Sequence, residues 1–120
     1  MAKILVADDS ITEREFIRKI LVGEGHEVVT VEDGDKAIEK LRADKFDCIL
    51  LDVVMPGKNG FQICRDIKKD DFTKNIPVIL ITSKGQDSDK FWGMKQGADD
   101  YLVKPVSEEQ IISAIKKFLK

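Results

Sequence analysis

Cys48-Ile49-Leu50-Leu51-Asp52-Val53-Val54-Met55-Pro56-Gly57-Lys58-Asn59-Gly60 reads as a buried strand that ends on an acid and runs into a turn. The apolar run before Asp52, bounded by turn chemistry, suits a strand covered on both faces. Asp52 then stands where the sheet stops. In open α/β sheets ligands bind at the carboxyl ends of the strands, and the Met-Pro-Gly-Lys-Asn-Gly that follows is a turn-rich loop beside that acid. An Asp in such a place also serves simply as the cap of a βα turn, so the other strand ends decide its meaning.

Working outward, Lys3 to Ala7 is a short apolar run closed by Asp8-Asp9-Ser10, after which Phe16, Ile17, Ile20 and Leu21 recur at helical spacing up to Gly23 and Gly25. Glu27 to Val31 is a second strand, and Glu32-Asp33-Gly34 turns it into a helix with Ala37, Ile38 and Leu41 on one face. The strand ending at Asp52 leads into a helix that uses Phe61, Cys64 and Ile67. Pro77 to Thr82 is a fourth strand, with the proline at its start, where a missing N–H is tolerated. A helix from about Asp87 to Gln96, closed by Gly97, precedes a short strand, Tyr101 to Val103, that ends in Lys104-Pro105. Ser107-Glu108-Glu109-Gln110 is a capping-box pattern, and the helix it opens carries Ile111, Ile112, Ile115 and Leu119 inward.

Strands alternating with helices over short connections demand parallel pairing, right-handed crossovers and helices on both faces. The expected fold is therefore α/β, a doubly wound five-stranded parallel sheet with five helices. Its strand order is expected to be 2-1-3-4-5, because the first, third and fourth strands are the most apolar and belong in the middle; flavodoxin and CheY share that order.

The 120 residues suit one domain, 1–120, with no linker, repeat or low-complexity tract. The 20 Lys and Arg residues are interspersed with 22 Asp and Glu, leaving no basic block, so direct nucleic-acid binding is not expected. The apolar start is too short for a signal-peptide core or a membrane span, and a cytoplasmic location without membrane insertion follows as the expectation. Cys48 and Cys64 form neither a CxxC motif nor a zinc pattern and read as small, buried, reduced thiols.

The strand ends collect Asp8 and Asp9 from the first strand, Asp52 from the third, Thr82 from the fourth and Lys104 from the fifth. Three crowded carboxylates resist full ionisation unless a cation shares the site, and a hard divalent ion such as Mg²⁺, with few protein ligands and retained waters, resolves the repulsion. Lys104 is a compact charge suited to a phosphate, and the Thr82 hydroxyl can hydrogen-bond a phosphoryl oxygen.

From end to end the chain resembles a response-regulator receiver domain of the CheY type. The motifs that carry the likeness are Asp8-Asp9, Asp52 within LLDVVMPGKNG, Thr82 within PVILITS, and GADDYLVKP with Tyr101 and Lys104. The stretch DKFWGMKQGADDYLVKPV further resembles the stand-alone regulators of type IV pilus chemotaxis-like systems, of the PilH kind. The resemblance implies a phospho-accepting regulator of a two-component system that takes a phosphoryl group from a histidine kinase on Asp52, with Thr82 and Lys104 assisting. It implies a Mg²⁺ cofactor held by Asp9, Asp52 and the backbone oxygen of Val54, with Asp8 acting through coordinated water. Val54 replaces a polar residue of other members, which bears on phosphoryl hydrolysis rather than on a backbone ligand. The Lys104-Pro105 bond is expected to be cis.

Thr82 and Tyr101 are expected to act as the switch, the ring turning inward on phosphorylation and altering a downstream-partner face built from the fourth helix, fifth strand and last helix. Such a domain is not an enzyme toward other molecules; it catalyses only its own phosphorylation and dephosphorylation. An alternative output is a phosphate sink for a competing regulator. A flavodoxin-like FMN carrier is disfavoured by the acid pair, which repels a flavin phosphate. An aspartate-nucleophile phosphatase is disfavoured by Val54, where its DxD pattern needs an acid. His26 reads as a surface turn residue at the opposite end of the sheet, while Phe91, Trp92 and Met94 suit either a core or a partner patch.

Overall fold

The computed structural model describes residues 1–119. Along the chain β1 (Lys3–Ala7), α1 (Ile11–Gly23), β2 (Glu27–Val31), α2 (Gly34–Ala43) and β3 (Cys48–Asp52) are followed by α3 (Gly60–Lys69), β4 (Val78–Thr82), α4 (Asp87–Lys95), β5 (Asp100–Val103) and α5 (Glu108–Phe118). All neighbouring strands pair in parallel, in the order β2-β1-β3-β4-β5. Apolarity explains the order: β3 and β4 are buried at every residue, whereas β2 and β5 carry exposed or half-buried positions suited to the edges.

Alternate strand residues point to opposite faces, and each face has its own core. Leu5, Ile49, Leu51, Val78 and Leu80 pack with Ala37 and Leu41 of α2 and with Ile63, Cys64 and Ile67 of α3. Ile4, Val6, Cys48, Leu50, Ile79 and Ile81 pack with Ile17, Ile20 and Leu21 of α1 and with Ile111, Ala114 and Ile115 of α5. Both cysteines are free and buried in different cores, and burial pushes each thiol up to about 12.

Each helix begins after a strand's carboxyl end, so the helix N-termini gather on the edge that carries Asp52. Ser10 caps α1 by accepting from the Glu13 N–H, and Asn59 caps α3 by accepting from the Gln62 N–H. Ser107 and Gln110 form the expected capping box of α5.

One expectation about a helix face, that of Phe16, needs correction, and the open choice between core and surface for Phe91, Trp92 and Met94 falls to the surface. Phe16 is 48% exposed, because the buried stripe of α1 is centred between Ile17, Ile20 and Leu21 and residue 16 falls about a quarter-turn away. On α4 the only buried residue is Gly93; Phe91, Trp92 and Met94 all face outward. The helix lies so close over β4 and β5 that a Cβ at position 93 would meet the Tyr101 ring at 2.8 Å and Leu80 at 3.1 Å. His26 sits in the turn after α1 at the far end of the sheet, where its Nδ1 accepts from the Ala2 N–H at 3.1 Å.

Gly60 fixes how closely α3 approaches the end of β3. Its N–H donates to the Val53 carbonyl at 2.8 Å, and a Cβ there would come within 2.4 Å of the Asp52 carbonyl oxygen and 2.6 Å of the Val53 Cα. Backbone cannot swing aside as a flexible side chain can. Gly60→Ala is therefore expected to destabilise the protein by about 1–3 kcal/mol in urea unfolding. Gly23→Ala, at a helical position with nothing within 4 Å of the added Cβ, is expected to be neutral or stabilising by about 0.5 kcal/mol.

Candidate functional site

The carboxyl edge of the sheet brings together the ends of β1, β3, β4 and β5. Asp8 follows β1 and is 2% exposed, and Asp52 ends β3 and is 5% exposed. The Asp8 Oδ1 accepts from the Ser10 N–H at 2.9 Å, and the Arg14 guanidinium donates to the Asp8 carbonyl at 2.7 Å, so this acid braces the loop into α1. The Asp52 Oδ1 accepts from the Val54 N–H at 3.4 Å. Lys104 is carried to the same place because its own N–H continues the β4–β5 ladder onto the Thr82 carbonyl at 2.8 Å, beside a cis Lys104–Pro105 bond.

The Lys104 ammonium stands 3.5 Å from both Asp8 Oδ2 and Asp52 Oδ2, and it contacts Glu13 directly. Glu13 was not among the candidates drawn from the strand ends. Asp8, Glu13 and Asp52 each place a carboxylate oxygen within 4.8 Å of the others. The available signal was an acid in the first helical turn, three residues after the Ser10 cap, which such a turn directs toward the sheet edge. Asp9 lies outside this triad with its side chain exposed, since the chain turns outward directly after the buried Asp8.

Burial dominates the electrostatics. It pushes the Asp8 carboxyl up to about 7, against the lowering effect of the Ser10 N–H and with the help of Glu13 and Asp52. Asp52 is likewise raised by burial, with Lys104 opposing. Burial works to raise Glu13 as well, but the hydrogen bond from Lys104 outweighs it and holds this carboxyl below its ordinary value. Lys104 is raised: its burial is overcome by Glu13, Asp52 and Asp8. Asp8 and Asp52, acidic oxygen donors that burial makes reluctant to ionise, fit a hard divalent cation such as Mg²⁺.

Thr82 and Tyr101 are joined through one residue. Thr82, wholly buried, accepts from the Lys84 N–H at 3.1 Å, while the Tyr101 hydroxyl donates to the Lys84 carbonyl at 2.7 Å. The ring is already turned inward, 5% exposed, in the space that Gly93 leaves. The inward position expected of the ring on phosphorylation is thus a buried seat with a hydrogen-bond acceptor that exists in the protein as it stands.

The chain that builds this sheet edge matches known proteins over nearly its whole length. Residues 4–116 match the family described as the response regulator receiver domain, and the chain belongs to that family. It is 47% identical to the protein PilH of Pseudomonas aeruginosa over 119 residues, which cover 99% of this chain and 98% of PilH. It is 36% identical to the phosphate regulon transcriptional regulatory protein PhoB of Escherichia coli over 118 residues, covering 98% of this chain but 52% of PhoB. Among solved structures, the chemotaxis response regulator CheY4 of Vibrio cholerae superposes with a TM-score of 0.93 and 34% identity, covering 99% of both chains. The receiver domain of a sensor histidine kinase from Pseudomonas aeruginosa, solved with a magnesium ion coordinated in its active-site cleft, gives a TM-score of 0.90 at 25% identity, covering 98% of this chain and 96% of that one.

The position of Asp8 predicts a pH dependence. The folded carboxyl keeps its proton to about pH 7, whereas the unfolded one loses it near its ordinary value of 3.8, so the folded state binds more protons in between. Stability from this group is complete below about pH 4 and is lost as the pH rises through about 7. Asp8→Asn keeps the Oδ1 acceptor for Ser10 and never ionises. In urea unfolding with a chelator, the variant is expected to exceed the wild type by on the order of 2–4 kcal/mol above pH 7, with the gap closing toward pH 4.

Proposed function

We propose that residues 1–120 act as one receiver domain whose Asp52 carboxylate accepts a phosphoryl group from the phosphohistidine of a histidine kinase. The single observation that carries this reading is the placement of Lys104 against Asp52 and Asp8, at 3.5 Å from each, at the mouth of a wholly buried strand. An Asp52 oxygen attacks phosphorus, the phosphorus–nitrogen bond breaks, imidazole leaves with that electron pair, and an acyl-phosphate remains. Lys104 moves from its carboxylate partners to the transferred oxygens and offsets their charge. Asp8, Asp9, Asp52 and the Val54 backbone oxygen are the proposed holders of Mg²⁺, which supplies charge neutralisation at the phosphoryl oxygens when bound.

Thr82 then links the site to the surface. A hydroxyl donates one hydrogen and accepts through two lone pairs, so Thr82 can keep the Lys84 N–H while donating to a phosphoryl oxygen. Phosphorylation in this reading stabilises the arrangement in which Tyr101 is bonded to the Lys84 carbonyl, a population shift and not a new fold. The exposed Phe91, Trp92 and Met94 on α4, the helix whose Gly93 packs on that ring, favour a downstream protein partner at the face of α4, β5 and α5 over a pure phosphate sink. The 47% identity to PilH supports a place in type IV pilus chemotaxis-like signalling. Free thiols fit the proposed cytoplasmic location, and no direct nucleic-acid contact is proposed. Among the described residues no helix is long and apolar enough to cross a membrane.

Incubation with Mg²⁺ and acetyl phosphate is expected to add the mass of one phosphoryl group to the intact protein, and Asp52→Asn is expected to gain none. A phosphorylated Asp52→Asn protein would overturn the assignment. Thr82→Ala is expected to gain the phosphoryl mass yet lose the phosphorylation-dependent change in Trp92 fluorescence, because the bond to the Lys84 N–H is gone.

A further inference from the structure

Neither the acid pair nor the phospho-acceptor takes the Lys104 ammonium closest; Glu13 does. An ammonium has three hydrogens, and here the strand acids Asp8 and Asp52 both stand at 3.5 Å, the outer edge of hydrogen bonding, while Glu13 is in direct contact. The first turn of α1 presents Glu13 from a fixed position. Ser10 caps that turn, Arg14 ties it to the Asp8 carbonyl at 2.7 Å, and Ile17 anchors the helix in the core. Beyond Lys104 on this side lies a cavity of about 490 Å³ with Phe16, Ile17, Ile81, Pro105 and Val106 in its walls, which are largely apolar. Glu13 is the carboxylate that lines it.

We infer that Glu13 is a positioning residue that draws the Lys104 ammonium toward α1 and keeps it from settling on Asp52 before a phosphoryl group arrives. The inference rests on the receiver reading of the site. A lysine seated squarely between Asp8 and Asp52 would be a built-in counter-ion competing with a divalent cation for the same oxygens. With Glu13 taking the closest contact, Lys104 is kept at the 3.5 Å outer edge of its ion pairs with the two strand acids, from which a divalent cation can displace it and from which it can swing to the Asp52 oxygens. Glu13 thus acts through Lys104, which distinguishes it from a metal ligand.

A double-mutant cycle separates the two roles. Mg²⁺ affinity is measured by calorimetry on the full chain for the wild type, Glu13→Gln, Lys104→Met and the double variant. In the presence of Lys104, Glu13→Gln is expected to weaken Mg²⁺ about tenfold, because the freed ammonium falls back on Asp8 and Asp52. In the Lys104→Met background the same change is expected to cost less than about threefold. Glu13→Asp, one methylene shorter, is expected to fall between wild type and Glu13→Gln. Equal losses in both backgrounds, no loss in either, or tighter binding by Glu13→Gln would overturn the inference, as would a wild type that binds no Mg²⁺. Urea midpoints in chelator identify any variant that fails to fold, in which case Glu13→Asp carries the cycle. The receiver reading fails separately, through absence of a phosphoryl adduct on the wild type with acetyl phosphate.

Discussion

A carboxylate at the end of a strand buried along its whole length is an electrostatic liability that the surrounding chain has to manage. Asp52 ends β3, whose five residues are all buried, and Asp8 lies beside it at the end of β1, itself almost wholly enclosed. Two ionised groups in that position repel each other and lose hydration together. The molecule responds with one ammonium, Lys104, and with donors from the backbone at Ser10 and Val54. That response still leaves the Asp8 carboxyl raised to about 7, so the site has room for more positive charge than the protein itself provides.

The parallel sheet turns this local problem into a functional one. Parallel strands all end on the same edge, and each βα connection adds a polar cap and a helix N-terminus there. β3 and β4 contribute Asp52 and Thr82 from neighbouring strands, and β5 delivers Lys104 through the ladder bond to the Thr82 carbonyl. The two cores below are made of interlocked aliphatic side chains, which hold these ends at fixed spacing. Precision at the edge therefore comes from packing several residues away.

Thr82 and Tyr101 are joined through few atoms. The Lys84 N–H donates to the Thr82 hydroxyl and the Lys84 carbonyl accepts from the Tyr101 hydroxyl, so one residue ties the buried threonine to the tyrosine ring. Gly93 makes the inward ring compatible with a closely packed α4, and the same close packing turns Phe91, Trp92 and Met94 to the outside. One absent side chain thus sets both where the ring rests and what the helix shows to solvent. Across its whole length the chain resembles PilH and the chemotaxis regulator CheY4, and it spans about half of PhoB, whose length includes further chain.

Strand order and the membership of Asp8, Asp9, Asp52, Thr82 and Lys104 in one edge were legible in the amino-acid sequence by itself. Apolarity ranks strands by burial, and parallel topology puts every strand end on one side. The capping box at Ser107 was legible for the same reason, because it involves only near neighbours in the chain. Glu13, the outward Phe16 and the inward Tyr101 were decided by tertiary structure. Periodicity fixes the angles between residues within a helix, but the rotation of that helix about its axis is set by the surface it packs on. That rotation turned Phe16 out and brought Glu13 to Lys104, and the space above Gly93 let the tyrosine ring in. Each depends on contacts between residues far apart in the chain; the local pattern at Ser10 marks Glu13 as an acid of the first turn but does not name Lys104 as its partner.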